Sequence, residues 1–294
     1  MKKAKAREDD GYTEDERIRA IREAANVRRA ALKMQLRINN QCYALARDEL
    51  LSAGSLVWAD LDEKQRGTLC TTARERVDAV FSQCRKDNKP EMMVTLSSAS
   101  IEAFFLQARI ARDTFDVSRT ACEHVMEAHA KRLLVWPWVE SVKGMGALGL
   151  ARIVADAGNL SNYPTVAKLW KRMGVAVMNG CRQGKPADPN DPNEWIEHGY
   201  CPERRSTLYV ITDSLLRTND DGYRALYLER KPHEAARPDV KTKAHAHNAA
   251  MRYVGKRLLR DLWRAWRDCH GHSATATPAP RAQSVASASP GCTP

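Results

Sequence analysis

The chain has 294 residues, enough for one large or two modest domains, and carries 47 Lys and Arg against 36 Asp and Glu for a net charge of +11. That excess favours a polyanionic partner, nucleic acid first. The charged N-terminus and the lack of any run near the roughly 18 apolar residues of a membrane span lead us to expect no signal peptide, no membrane partner and a cytoplasmic, bacterial or phage-encoded protein. The cysteines (Cys42, Cys70, Cys84, Cys122, Cys181, Cys201, Cys269, Cys292) form no C-x-x-C pair, which argues against a zinc site or disulfide framework and for a reducing compartment.

From about Glu14 to Leu51 the sequence predicts one long helix. Leu32, Leu36, Asn39, Tyr43, Ala46 and Leu50 alternate four and three apart, the spacing of a coiled-coil seam. Asn39 is either its polar, register-fixing member or an edge residue. A second helix is expected from about Asp62 to Cys84, stopped by Asp87-Asn88-Lys89-Pro90. A third covers roughly Ser100 to Leu134, with Phe104, Ala108, Ala111, Phe115, Ser118, Cys122 and Val125 again stepping four and three. Residues 1–134 are thus expected to form a long-helix bundle or antiparallel coiled coil that supports self-association. His124 and His129 fit ordinary packed or partly exposed positions.

Trp136-Pro137-Trp138 breaks the third helix and opens residues 135–270. Trp138, Val139 and Val142 suit a short helix. Lys143-Gly144-Met145-Gly146 then allows a tight turn with positive φ, and Leu150, Ile153, Val154 and Ala157 repeat at helical spacing. The pattern is helix–hairpin–helix. It directs free N–H groups and a partial positive charge outward, where a backbone phosphate fits without its sequence being read.

Asn159 to Pro164 reads as a turn and Thr165 to Met173 as a short helix. Val175 to Met178 is the one candidate extended piece. Asn179 to Pro202, rich in Gly, Pro, Asn and Asp, reads as a long loop. Helices resume over Glu203 to Arg217, Tyr223 to Arg230 and Lys241 to about Arg267. The last holds eight Lys/Arg against the single acid Asp261. On it Arg252, Lys256 and Arg260 share a face while Tyr253, Leu259, Leu262 and Trp266 can face a core, a division suited to a basic stripe along a nucleic-acid backbone. His245 and His247 point about 200° apart on a helix, too divergent to chelate one metal, and suit DNA-facing or solvent positions. His270 and His272 allow adventitious metal binding at most. Residues 271–294, dominated by Ala, Ser, Thr and Pro, predict a disordered tail.

Trp138 to about Arg267 resembles the C-terminal domain of insertion-sequence transposases that pair a RuvC-like nuclease domain with a serine-bearing domain and include members guided by a bridging RNA. The resemblance rests on Val142 to Gly158, on Asn159-Leu160-Ser161-Asn162-Tyr163-Pro164 and on Met173-Gly174-Val175. It continues through Glu203-Arg204-Arg205-Ser206-Thr207-Leu208-Tyr209, Tyr223-Arg224-Ala225-Leu226-Tyr227 and Gly255 to Trp263. It implies a DNA-binding protein associated with transposition or recombination. The chain departs from the family twice. Where the family sets its catalytic Ser before Gly, this chain has Asn179-Gly180-Cys181-Arg182-Gln183-Gly184, with Cys181 the nucleophile candidate. The acidic nuclease site has no counterpart in residues 1–134.

The expectation is therefore an all-α protein: a long-helix bundle over 1–134, a helix–hairpin–helix domain over 135–270 and a tail. The DNA-contacting residues would be Lys143, Gly144 and Gly146 with the amides of Ala147 and Leu148. Lys168, Lys171, Arg172, Arg204, Arg205, Arg252, Lys256 and Arg260 would add charge. DNA, including structured or branched DNA, is the expected partner, with RNA also open, in a homo-oligomer without metal or cofactor. Two rivals stay open: an active recombinase using Cys181 or a separate nuclease, with a divalent metal, and an interaction protein whose hairpin is a relic.

Overall fold

The computed structural model describes residues 11–87, 99–178, 180–186, 188, 190–218 and 222–271. The described chain is all-α with long N-terminal helices and one minimal two-stranded ribbon. Residues 26–124 form one compact unit, and residues 11–25 with 125–271 form another.

Helix α1, Glu14–Ala53, starts at a reciprocal cap. Thr13 Oγ1 accepts from Glu16 N–H at 3.3 Å and Glu16 Oε2 accepts from Thr13 N–H at 2.8 Å, which satisfies two otherwise orphaned donors. Helix α2, Glu63–Asp87, begins the same way, with Asp62 and Gln65 exchanging bonds of 2.9 and 2.7 Å. Helix α3 is Ala99–Ala130. Within residues 26–124 these helices enclose Cys42, Ala46, Ala73, Val77, Val80, Phe81, Phe105 and Ala108. Burial pushes the Cys42 thiol up to about 11, so it stays protonated and behaves as a small apolar group.

The seam on α1 is the predicted one only in part: Ala46 lies in the core and Tyr43 and Leu50 pack against it, but its N-terminal half differs. Leu36 is 59% exposed and Leu32 only half-buried, whereas Ala31, Cys42 and Ala46 are buried, with Gln35 and Ile38 beside them. Small residues line the contact because they allow helices to approach closely. Gln35 Nε2 crosses to α3, donating to Asp116 Oδ1 at 3.2 Å. Asn39 is half-buried. On α3, Phe105 replaces Phe104 as the fully buried ring and Val125 is exposed.

The other unit has the larger core. Ile18, Ile21 and Ala25 of α1 and Met126 and Ala130 of α3 belong to it, so the packing divides the chain inside both helices, away from the break at Trp136-Pro137. Its axis is α10, Lys243–Cys269, whose Leu258, Leu259, Leu262 and Trp266 are completely buried. Three indoles fix the surrounding pieces. Trp170 Nε1 donates to Lys256 O at 3.1 Å, Trp263 Nε1 to Tyr163 O at 2.9 Å, and Trp266 Nε1 to Asn159 Oδ1 at 3.2 Å. Helix α8, Pro202–Arg217, crosses α10 at Gly255, where a Cβ would meet Thr212 Oγ1 at 3.0 Å and Leu208 Cγ at 3.1 Å. Helix α9, Tyr223–Ala235, is longer than predicted and carries Pro232 in its last turn.

Candidate nucleic-acid interface

Helix α4, Trp136–Ser141, leads through Val142–Met145 into α5, Gly146–Ala157, so the predicted helix–hairpin–helix forms. Gly144 has φ +88° and Gly146 φ +62°, a region glycine enters without steric penalty. Gly144 has a second constraint. A Cβ there would stand 2.8 Å from Thr218 Cγ2, 2.9 Å from Ser214 O and 3.0 Å from Leu215 Cα. The turn therefore seats on the C-terminal end of α8, where the Thr218 hydroxyl also reaches Lys143 O at 3.4 Å. Lys143 and Gly146 are exposed, Gly144 and Leu148 half-buried, and Met145 and Ala147 buried. No side chain caps α5, so its N-terminal amide dipoles stay uncompensated by a cap.

The predicted basic residues fall into distinct surroundings. Lys168 is exposed and Lys171 half-buried, both on α6, Val166–Arg172. Arg172 Nε donates to Asp156 O at 2.9 Å, and Arg204 Nη1 to Arg172 O at 3.4 Å. Both guanidiniums bind carbonyls at helix C-termini, where the dipole favours a cation. On α10, Arg252, Lys256 and Arg260 are all half-buried. Lys256 Nζ lies 4.2 Å over the Trp170 ring, and burial followed by Arg252 pushes its pKa down. Arg260 pairs with Asp261 at 2.9 Å. Tyr253 is half-buried, with Arg230 4.6 Å over its ring.

The segment read as a long loop carries more order than its composition suggests. Val177–Met178 (β1) pairs antiparallel with Cys181–Arg182 (β2), and α7, Pro192–His198, follows. Gln183, 1% exposed, is its anchor. Its Oε1 accepts from Ala176 N–H at 3.1 Å, and its Nε2 donates to Lys171 O at 3.0 Å and His198 O at 2.7 Å. A buried amide so engaged holds the segment by side-chain bonds in place of a longer ladder. The Cys181 side chain lies outside the described residues, as do Asn179 and His272.

His247 also departs from expectation. It is half-buried between two tyrosines, with Nε2 3.2 Å from Tyr209 Oη and Nδ1 2.7 Å from Tyr227 Oη. His245 is exposed. His270 stacks on Trp266 with centroids 5.3 Å apart and lies 3.3 Å from Glu14. No group of His, Cys, Asp and Glu among the described residues is placed to hold a metal ion, and no helix among them is long and apolar enough to cross a membrane.

Of the predicted contacts, Arg205 and Arg252 meet in one cavity, and Arg182, which sequence reasoning missed, joins them. The signal was present only as a cation beside Gln183, with nothing local to tie it to helices far along the chain. Comparison of the chain with protein-family models, curated proteins and solved structures finds no match.

Proposed function

We propose that this protein binds the nucleic-acid backbone, DNA foremost, as a transposase-like protein associated with DNA transposition or recombination. The observation that carries this reading is the hairpin: helix, two-glycine turn, helix, with Lys143 and Gly146 at an exposed tip and no side-chain cap on α5. The net charge of +11 supports it, because neutralised phosphates release counterions and drive association. Contacts of this kind position a backbone without reading its bases.

Charge reversal at the exposed positions tests the reading without touching the core. Lys143→Glu with Lys168→Glu weakens duplex binding by about tenfold or more at low salt and flattens the salt dependence. Unchanged binding in that variant, or affinity no higher than for an unrelated protein of equal charge, rejects it.

Self-association through residues 26–124 belongs to the same proposal. Leu106, Ile110 and Val117 of α3 are exposed at helical spacing, an apolar line that a second copy would cover. Ile110→Lys with Val117→Lys then lowers the mass measured by light scattering to that of one chain. A parent that is already monomeric at high concentration removes this part.

A further inference from the structure

Strand β2 and helices α8 and α10 bound a cavity of about 270 Å³ whose walls carry Arg182, Arg205 and Arg252. Its floor is apolar: Val175, Leu208 and Met251 are each only 2% exposed. Three cations from three elements converge on one small space.

Their charge is not balanced from within. Burial, then Arg182 and Arg205, push Arg252 down to about 10, and Glu234 is the one carboxylate acting the other way. Both oxygens of Glu234 are already engaged, Oε1 by Arg230 at 2.7 Å and Oε2 by Arg237 at 3.0 Å. Among the described residues no carboxylate forms an ion pair with Arg182, Arg205 or Arg252. Arg205 uses one donor on Gln183 O at 3.3 Å, leaving most of its five N–H groups. A guanidinium keeps its proton at any biological pH, so it cannot relieve the repulsion by neutralising itself as a lysine does. A bound anion relieves it.

The chemistry selects the anion. Guanidinium forks match phosphoryl oxygens in paired, charge-assisted hydrogen bonds. A monoester carries about −1.5 to −2 charges near pH 7 against −1 for a diester, and so balances a cationic triad better. The cavity is smaller than the roughly 300–1,000 Å³ of pockets that enclose whole drug-sized ligands. Its small volume and apolar buried residues suit a single terminal group more than a strand passing through. Arg205 and Ser214, where the hairpin seats, are separated by about 14 Å along α8 at helical rise, so one strand can reach both places.

We propose that the Arg182–Arg205–Arg252 pocket binds a terminal phosphate monoester, the end of a nucleic-acid strand. The strand rests on the function proposed above; the phosphate chemistry does not.

The test has two arms on the full chain. In the first, inorganic phosphate raises the melting temperature of the parent above that in chloride of equal ionic strength. Arg182→Ala, at an exposed position, and Arg252→Met lose that shift. Arg252→Met without phosphate melts at or above the parent, because it removes an uncompensated cation while keeping the apolar stem. Phosphate acting on the parent no more than chloride, or equally on the parent and both variants, overturns the pocket. In the second arm, oligonucleotides ending in 5′-phosphate, 3′-phosphate or hydroxyl are compared. One phosphorylated end binds about tenfold tighter than hydroxyl in the parent alone. Equal binding of all ends overturns the strand-end assignment. No oligonucleotide binding with an intact phosphate shift rejects the nucleic-acid reading and leaves a small phosphomonoester site. Oligonucleotide binding indifferent to its ends, with no phosphate shift, rejects the pocket and leaves the hairpin.

Discussion

The hairpin and the arginine pocket stand at opposite ends of α8 and are built on opposite principles. The hairpin is contiguous, and its most distinctive residue, Gly144, faces inward against Ser214, Leu215 and Thr218. The pocket draws single residues from β2, α8 and α10 and leaves their charge unanswered. Several other arginines are neutralised by carboxylates. On the helices of residues 26–124, Arg28 pairs with Glu123 at 2.7 Å and Arg119 with Asp116 and Glu123 at 3.0 and 2.9 Å. A glycine signature can thus report packing, while an unpaired cation cluster reports something still to be bound.

The largest effect that could break this contrast is at Gly144. Gly144→Val meets backbone atoms within 3.0 Å and needs a positive φ, so a cost of several kcal/mol, about 3 or more, is expected in chemical denaturation. A Gly144→Val protein of parental stability would make the turn a surface device after all. Next comes Gln183→Leu, which strands Ala176 N–H and removes donors from the carbonyls of Lys171, which keeps Gly174 N–H, and His198. It should cost about 2–3 kcal/mol and abolish the phosphate-dependent rise in melting temperature by loosening β2. If that rise survives, Gln183 does not support the pocket. Arg182→Glu should weaken binding of a terminally phosphorylated strand by about tenfold with little loss of stability, since its side chain is exposed. The smallest effect is at Gly146, where a Cβ meets nothing within 4 Å but φ is +62°. Gly146→Ala should cost only about 1 kcal/mol, and a cost near that of Gly144→Val would erase the distinction between the two glycines.

Much of this was legible locally. The starts of α1 and α2, the helix start at Trp136-Pro137, the two-glycine turn and the apolar face of α10 all follow from residues a few positions apart. What was not legible depends on partners distant in sequence. Leu32 and Leu36 carry more apolar surface than Ala31 and Cys42, yet close helix packing selected the small residues. Gln183 looked like a loop residue because its three partners lie before and after it in separate elements. The surroundings of the α10 cations were not legible, because nothing local announces that Trp170 covers Lys256 or that Arg182 and Arg205 line one cavity with Arg252.

The central claim, binding of a nucleic-acid backbone, is tested most directly by the affinity for a short duplex measured across salt. Each neutralised phosphate contributes a slope of about −0.9 in log affinity against log salt. The account predicts a slope of about −4 or steeper for the parent and a shallower one for Lys143→Glu with Lys168→Glu. A slope near zero, or the same slope in both proteins, contradicts it.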